Sequence, residues 1–312
     1  MEFLLLLAGL AGLWLGTEVT IGGAVGIAER LGVPEFVIGL AILSVGSDLP
    51  ELAIAIDAAL TSLDPKQMSD VVVGSALGSG LAQIGLVLGI TGLLHHLTLP
   101  SKAVYRHGSM LLGSLVLLAL LAVDGQITRT DGIALVVVYV IYLVMLLSVG
   151  ANGNGEIDGK PKGGLFLLST YLVLGLAIVT ASAELTVWSA TKMAVQFGWE
   201  QSLIAIFFIG VGSSLPELSI SVAAAIKRRA HLSIGNLIGS NIFDTLVPIG
   251  VAATIAGVGF DRDMLSFEVP VLLALSALVI VFFKGKQGIR KRESVIILFL
   301  YLLYAGAKLT VV

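Results

Sequence analysis

Two seven-residue stretches, Gly46-Ser-Asp-Leu-Pro-Glu-Leu52 and Gly212-Ser-Ser-Leu-Pro-Glu-Leu218, agree at six of seven positions. They stand 166 residues apart in a chain of 312. Each lies inside an apolar run long enough to cross a bilayer, which takes about 20 residues. Each carries a glutamate directly behind a proline. A carboxylate at mid-membrane costs at least ~2.5 kcal/mol, so its presence points to function. Its return at a fixed offset indicates that the chain is two related halves.

The chain is 57% hydrophobic and 12% charged, with mean hydropathy +1.02. Soluble domains carry about 25% charged residues, so this composition marks a polytopic membrane protein. There are no cysteines, which excludes a disulfide framework and thiolate metal sites. The Met1-Glu-Phe start has no basic region, and the apolar run behind it is too long for a signal core; it reads as a retained first helix.

Hydropathy and charge breaks predict ten spans, near 2–31, 34–63, 67–95, 101–123, 130–149, 164–197, 200–226, 231–259, 265–284 and 293–312. The first and sixth run about 30 residues, or ~45 Å as helix, and must tilt or protrude. The polar stretch from Gly150 to Gly163 reads as a linker. The expected organisation is therefore a first five-helix repeat (1–149), a cytoplasmic linker (150–163) and a second repeat (164–312). Alternate loops gather thirteen of the eighteen Lys and Arg on one face: Arg30, Lys102, Arg106, Lys160, Lys162, Lys227, Arg228, Arg229 and five in the Lys284–Arg292 cluster. That bias places this face in the cytoplasm and both termini outside. Five spans per half is odd, so the second half enters the membrane upside down. Inverted repeats are a device of secondary transporters.

The repeat extends further. Glu18 aligns with Glu184 at the same offset. Gly74-Ser-Ala-Leu-Gly-Ser-Gly-Leu-Ala-Gln83 aligns with Gly235-Asn-Leu-Ile-Gly-Ser-Asn-Ile-Phe-Asp244, one span after each opening motif. Ser47 and Glu51 are four residues apart and share a helix face, with Asp48 beside them; Ser213 and Glu217 repeat this, with Ser214 in place of Asp48. Ser79 and Gln83, and Ser240 and Asp244, keep the same spacing. Pro50 and Pro216 each remove a helix donor, and broken helices free carbonyl oxygens that also coordinate cations. An oxygen-only set without thiol or nearby histidine suits Ca²⁺, Na⁺, Mg²⁺ or H⁺.

Plainer readings exist for some of these residues. Serines in membrane helices commonly bond back to a carbonyl, which would account for an isolated Ser79 or Ser240. Glu18 and Glu184 serve equally well as ion-path residues or as partners for another helix. Asp57 has no acidic counterpart in the second half and is expected near the outer surface. His95, His96 and His231 fall at the cytoplasmic boundary. The Lys284–Arg292 cluster reads as a topology signal in contact with lipid headgroups, not as a nucleic-acid site.

The paired motifs resemble the α-repeats of the calcium/cation antiporter superfamily, in particular the prokaryotic sodium/calcium exchangers. Members carry Gly-Thr/Ser-Ser-Leu-Pro-Glu-Leu and then Gly-Ser-Asn-Ile-Ala/Phe-Asn/Asp in each half. Gly212–Leu218 and Gly239-Ser-Asn-Ile-Phe-Asp244 fit closely, and the resemblance spans the chain. It implies an all-α fold of ten transmembrane helices in two inverted five-helix repeats, with helices 2, 3, 7 and 8 broken. It implies Glu51 and Glu217 as the principal Ca²⁺ ligands, and Ser47, Ser213 and Ser214 at flanking Na⁺ sites. Ser79, Ser240, Asp244 and Gln83 would complete the centre, with carbonyls from Ser44 and Gly210. The long first and sixth helices would slide against the rest. No cofactor and no obligate protein partner is implied beyond the transported ions and the bilayer, and no enzymatic activity.

The first half departs from the family pattern: Asp48 replaces a small hydroxyl residue, Gly80 an Asn, and Gln83 an Asn or Asp. A pocket holding Asp48, Glu51, Glu217 and Asp244 would carry −4 against +2 for one Ca²⁺. Close, buried carboxylates do not all ionise and titrate as a set. At least one is therefore expected to hold a proton at neutral pH in some transport state. Asp48 either strengthens a Na⁺ site or carries a proton. The expected activity is Ca²⁺ exchange for Na⁺ across an inner or plasma membrane, with H⁺ coupling or another divalent such as Mg²⁺ as alternatives. A cation channel would also use mid-membrane acids, but broken inverted repeats favour a transporter. An intramembrane hydrolase would need a nucleophile–base pair or paired aspartates, which these motifs do not supply.

Overall fold

Buried carboxylates can be held at mid-membrane only if the helices carrying them stop, bend or cross there. The computed structural model describes residues 1–61, 64–150, 163–197, 212–285 and 288–311. It is a bundle of helices: α1 (Glu2–Leu31), α2 (Glu35–Ser47), α3 (Leu49–Leu60), α4 (Lys66–Leu94), α5 (Ser101–Leu121), α6 (Arg129–Gly150), α7 (Leu165–Gln196), α8 (Leu215–Ile226), α9 (Ala230–Ala256), α10 (Met264–Gly285) and α11 (Lys291–Val311). In lipid every backbone polar group must be satisfied within the protein, so apolar runs of this length become helices. With α2 and α3 as one bent span, these helices coincide with nine of the ten predicted segments and with the second half of the seventh. The seventh is described only from Gly212, and the linker residues 151–162 lie outside the described residues.

The loop pairings agree with ten crossings. A short antiparallel ribbon joins β1 (Gln126–Ile127), after the fourth span, to β2 (Val258–Gly259), after the eighth. A bridge joins Leu97, after the third span, to Ile289, after the ninth. The side chain of Glu268 at the start of α10 is paired with Lys308 near the end of α11. Each pairing links segments that strict alternation puts on one face.

The opening motifs share one backbone feature, a residue that leaves the helical region just before the proline. The second span bends by 43° at Asp48, whose backbone (φ −93°, ψ 6°) leaves the helical region just before Pro50 in the first turn of α3. Ser214 (φ −92°, ψ 9°) does the same before Pro216 in α8, behind a tight turn at Gly212–Ser214. Proline has no N–H, so the carbonyls of Gly46 and Gly212 cannot receive the ordinary i+4 bond. The expected breaks in the third and eighth spans are corrected. α4 runs through two π-turns, Ser69–Val73 and Ala82–Val87, as one span. α9 is unbroken despite Pro248. Neither Gly74–Gln83 nor Gly235–Asp244 contains a proline. α9 is also packed on all sides, and neighbours can hold a membrane helix through a proline. Pro248 still denies the Asp244 carbonyl its usual donor.

α1 and α7 pack as a pair along small residues. Gly9, Gly16 and Gly23, seven apart, face α7 so closely that a Cβ on Gly23 would lie 2.6 Å from the Leu172 amide nitrogen. From the other side, a Cβ on Gly175 would lie 2.5 Å from the Thr20 nitrogen. Small residues let membrane helices approach backbone to backbone. This pair shares a separate apolar cluster with Ile38, Leu43, Ile220 and Leu232, apart from the main core of α2–α6 and α9–α11. Gly23→Ala must push α7 away, at about 1–3 kcal/mol. The expected result is a lowered thermal midpoint, read from the fluorescence of the three tryptophans.

Candidate cation site

The bent span, α4, α8 and α9 bring their polar residues to one place. Asp48, Glu217 and Asp244 are fully buried and Glu51 is 6% exposed. Among the described residues several of their oxygens have no hydrogen-bond partner: Asp48 Oδ2, Glu51 Oε2, both Glu217 oxygens and Asp244 Oδ1, together with the Ser240 hydroxyl. An unpaired buried polar group is costly, so a cluster of acceptors is a place prepared for a cation or a proton. The four carboxylates belong to one buried cluster, and close, buried carboxylates do not all ionise.

Hydroxyls and amides complete the set. Gln83 Nε2 donates to Ser79 Oγ at 2.9 Å and to Asp244 Oδ2 at 3.1 Å. Its Oε1 accepts from Asn241 Nδ2 at 2.6 Å. Ser79 Oγ lies 3.4 Å from Ser214 Oγ, which links the two halves. Ser47 Oγ donates to the Ser44 carbonyl at 3.2 Å and to Asp48 Oδ1 at 3.4 Å. The Ser44 hydroxyl donates to the Leu40 carbonyl at 2.6 Å, and the Ser44 carbonyl accepts from the Asp48 amide at 3.0 Å as well as from Ser47. Among the described residues no three acids or histidines converge tightly enough to grip one metal ion alone. Any ion here must draw on the hydroxyl, amide and backbone oxygens as well.

Two expected members stand apart. Glu18 is 41% exposed and ion-paired with Lys227, 2.5 Å away, and Glu184 is exposed on α7. The pairing alternative therefore describes Glu18, and neither glutamate reaches the buried cluster. Gly210 and the Ser213 side chain lie outside the described residues. Two residues were missed. Asn241 was passed over because its aligned position is Gly80. The structure supplies the reason for that glycine: a Cβ there would lie 2.9 Å from Asn241 Oδ1. Tyr139 on α6 is buried with an unpartnered hydroxyl, its ring edge-on to Phe243 at 5.5 Å and within the fields of Asp48 and Asp244. Its only signal in the sequence is a tyrosine, one of two with Tyr142, in an otherwise apolar span.

An all-α membrane bundle with acidic residues at two matched helix joints defines a cation antiporter of the exchanger fold. The chain belongs to the sodium/calcium exchanger protein family, whose model matches residues 1–148 and 167–310. It is 32% identical over 309 residues to CaxA of Alkalimonas amylolytica, covering 96% of this chain and 95% of that one. It is 27% identical over 344 residues to the sodium/calcium exchanger MaX1 of Methanosarcina acetivorans, covering 97% of each. The solved sodium–calcium exchanger NCX_Mj, soaked with Na⁺ and Ca²⁺, superposes with TM-score 0.84 at 26% identity over 98% of both chains.

Proposed function

We propose that this chain exchanges Ca²⁺ for Na⁺ by alternating access, with Glu51 and Glu217 as principal Ca²⁺ ligands. The unpartnered oxygens of both glutamates, one behind each proline joint, carry this reading. Asp244, Ser79, Ser240 and Gln83 complete the centre, and Ser47, Ser213, Ser214 and Asp48 flank it. Residues 1–149 and 164–312 act as two inverted repeats about a cytoplasmic linker, with both termini outside. The α1–α7 pair moves as a unit against the remaining helices, in keeping with its separate apolar cluster. The relative named sodium/calcium exchanger MaX1 supports the ion pair chosen. A second reading, H⁺ coupling, is favoured by one observation: Asp48 adds a fourth buried carboxylate to Glu51, Glu217 and Asp244, and such a set does not all ionise.

The test is ⁴⁵Ca²⁺ uptake into proteoliposomes with Na⁺ and H⁺ gradients imposed independently. Uptake driven by Na⁺ at fixed pH is the expected result. Uptake driven only by a pH gradient would transfer the coupling to the proton. Flux that needs no counter-ion would make the chain a channel, and no Ca²⁺ flux at all would direct the assay to Mg²⁺.

A further inference from the structure

Glu18 and Glu184 hold matched places in α1 and α7, 166 residues apart. Two lysines are matched as well. Lys66 stands eight residues before Gly74, and Lys227 stands eight before Gly235, the glycines that open the second pair of repeat motifs. Lys66 and Lys227 are therefore repeat counterparts, at the offset of 161 that those motifs keep. The structure pairs one acid with one lysine across the halves: Glu18 of the first with Lys227 of the second, 2.5 Å apart. The mirror combination, Glu184 of the second half with Lys66 of the first, stands open. Both residues are exposed, and among the described residues neither is in an ion pair.

The two acids belong to the α1–α7 pair, which packs on itself along small residues. The two lysines belong to the other helices. Lys227 ends α8 in a tight turn, where the next residue, Arg228, is left-handed (φ 62°). Arg229 after it is paired with Glu35 at the start of α2. A non-glycine residue stays at positive φ only where its surroundings hold it there, so this turn keeps Lys227 with α2 and α8. Lys66 opens α4, its backbone amide held at 2.9 Å by the Asp64 carboxylate. A shift of the α1–α7 pair against these helices must separate Glu18 from Lys227. In an inverted repeat the opposite open state is the mirror arrangement, and the mirror of this contact is Glu184 on Lys66. One Lys–Glu contact then breaks as another of the same chemistry forms. The swap itself is nearly balanced, while each contact resists departure from its own state.

We propose that Glu18–Lys227 and Glu184–Lys66 are alternative latches, one closed in each open state. The proposal rests on the moving α1–α7 pair of the exchange reading. The latch closed in this structure is the one on the face that gathers most of the Lys and Arg.

The chain has no cysteine, so introduced cysteines report on themselves alone. The full chain in lipid nanodiscs carries Glu18→Cys/Lys227→Cys, Glu184→Cys/Lys66→Cys, or all four substitutions. It is treated with a short bis-methanethiosulfonate linker in Na⁺, in Ca²⁺ and in neither. Intact mass counts the bridges and needs no flux, so it decides the matter whether or not Ca²⁺ exchanges for Na⁺. The expected result is a bridge in each two-cysteine chain, and one bridge but never two in the four-cysteine chain. Glu18→Cys/Lys66→Cys, which mixes the latches, should give none. No bridge between positions 184 and 66 in any buffer, two bridges in one four-cysteine chain, or a bridge in the mixed control would each overturn the proposal. In the uptake assay Glu184→Lys and Lys66→Glu should each slow flux about tenfold, and the swap Glu184→Lys/Lys66→Glu should restore it. A swap as slow as the single variants would also overturn the proposal, whereas absent wild-type uptake counts against the exchange reading alone.

Discussion

Glu217→Gln abolishes Ca²⁺ exchange while the protein folds normally. Glu217 is fully buried at the start of α8, and neither carboxylate oxygen has a hydrogen-bond partner. Glutamine keeps its volume but exchanges a negative oxygen for an NH₂ donor. The site loses one unit of charge and gains a group that points hydrogens at the ion. Ligand charge is a main determinant of Ca²⁺ affinity, so Ca²⁺ binding should fall by about 100-fold or more, or about 2.7 kcal/mol. Asp48 lies close by, and removing one of two crowded charges relieves repulsion. The thermal midpoint should therefore hold or rise. Calorimetric Ca²⁺ binding, ⁴⁵Ca²⁺ uptake and tryptophan fluorescence read the three effects separately. Exchange at near wild-type rates in a folded Glu217→Gln protein would remove Glu217 from the ligand set.

Asp48→Ser changes the pH response of the same site. In the native chain Asp48 joins Glu51, Glu217 and Asp244 in one buried cluster, and crowding of buried carboxylates calls for a proton on one of them. A Ca²⁺ ion that draws on the cluster must displace that proton. Lowering the pH then favours the proton over the metal, and apparent Ca²⁺ affinity falls. Raising the pH does the reverse, by up to about tenfold per unit for one proton released. Serine is what the second half carries at this position, as Ser214. It provides a ligand oxygen without a titrating group, so the slope of log affinity against pH should drop by about one. Half-saturation for Ca²⁺ measured from pH 6 to pH 9, a range of about three units, checks this. An unchanged slope would mean that Asp48 neither holds nor releases the proton, and would reduce it to a tuning substitution.

Much of the architecture was legible because membrane folding leaves few choices. The apolar runs had to be helices, and hydropathy and charge breaks gave a crossing count whose alternation agrees with the β1–β2 and Leu97–Ile289 pairings. Pro50 and Pro216 marked both joints, since a missing N–H is written in the residue itself. What was not legible depends on packing. The unbroken α9 follows from its neighbours on every side. Asn241 could be recognised only when Gly80 was seen to make room for it. Gln83 stands where the family pattern has Asn or Asp, but that departure does not reveal that its amide spans Ser79, Asp244 and Asn241. Glu18 matched its repeat partner in sequence, yet Lys227, 209 residues away, takes it.

The three unlike pairs between the halves, Asp48 with Ser214, Gly80 with Asn241 and Gln83 with Asp244, have a kinetic meaning. An exchanger with identical halves would present the same ligands to both sides of the membrane. Its two open states would then be mirror images of equal energy. Here the Gln83 amide binds Asp244 and Asn241 across the interface, and nothing in the opposite half can return the favour in kind. If the halves alternate as proposed, the two open states are expected to differ in energy and the protein to spend unequal time facing each compartment. It would then be a rectifier: gradients would still fix the direction of net exchange, but the forward and reverse modes would saturate at different ion concentrations.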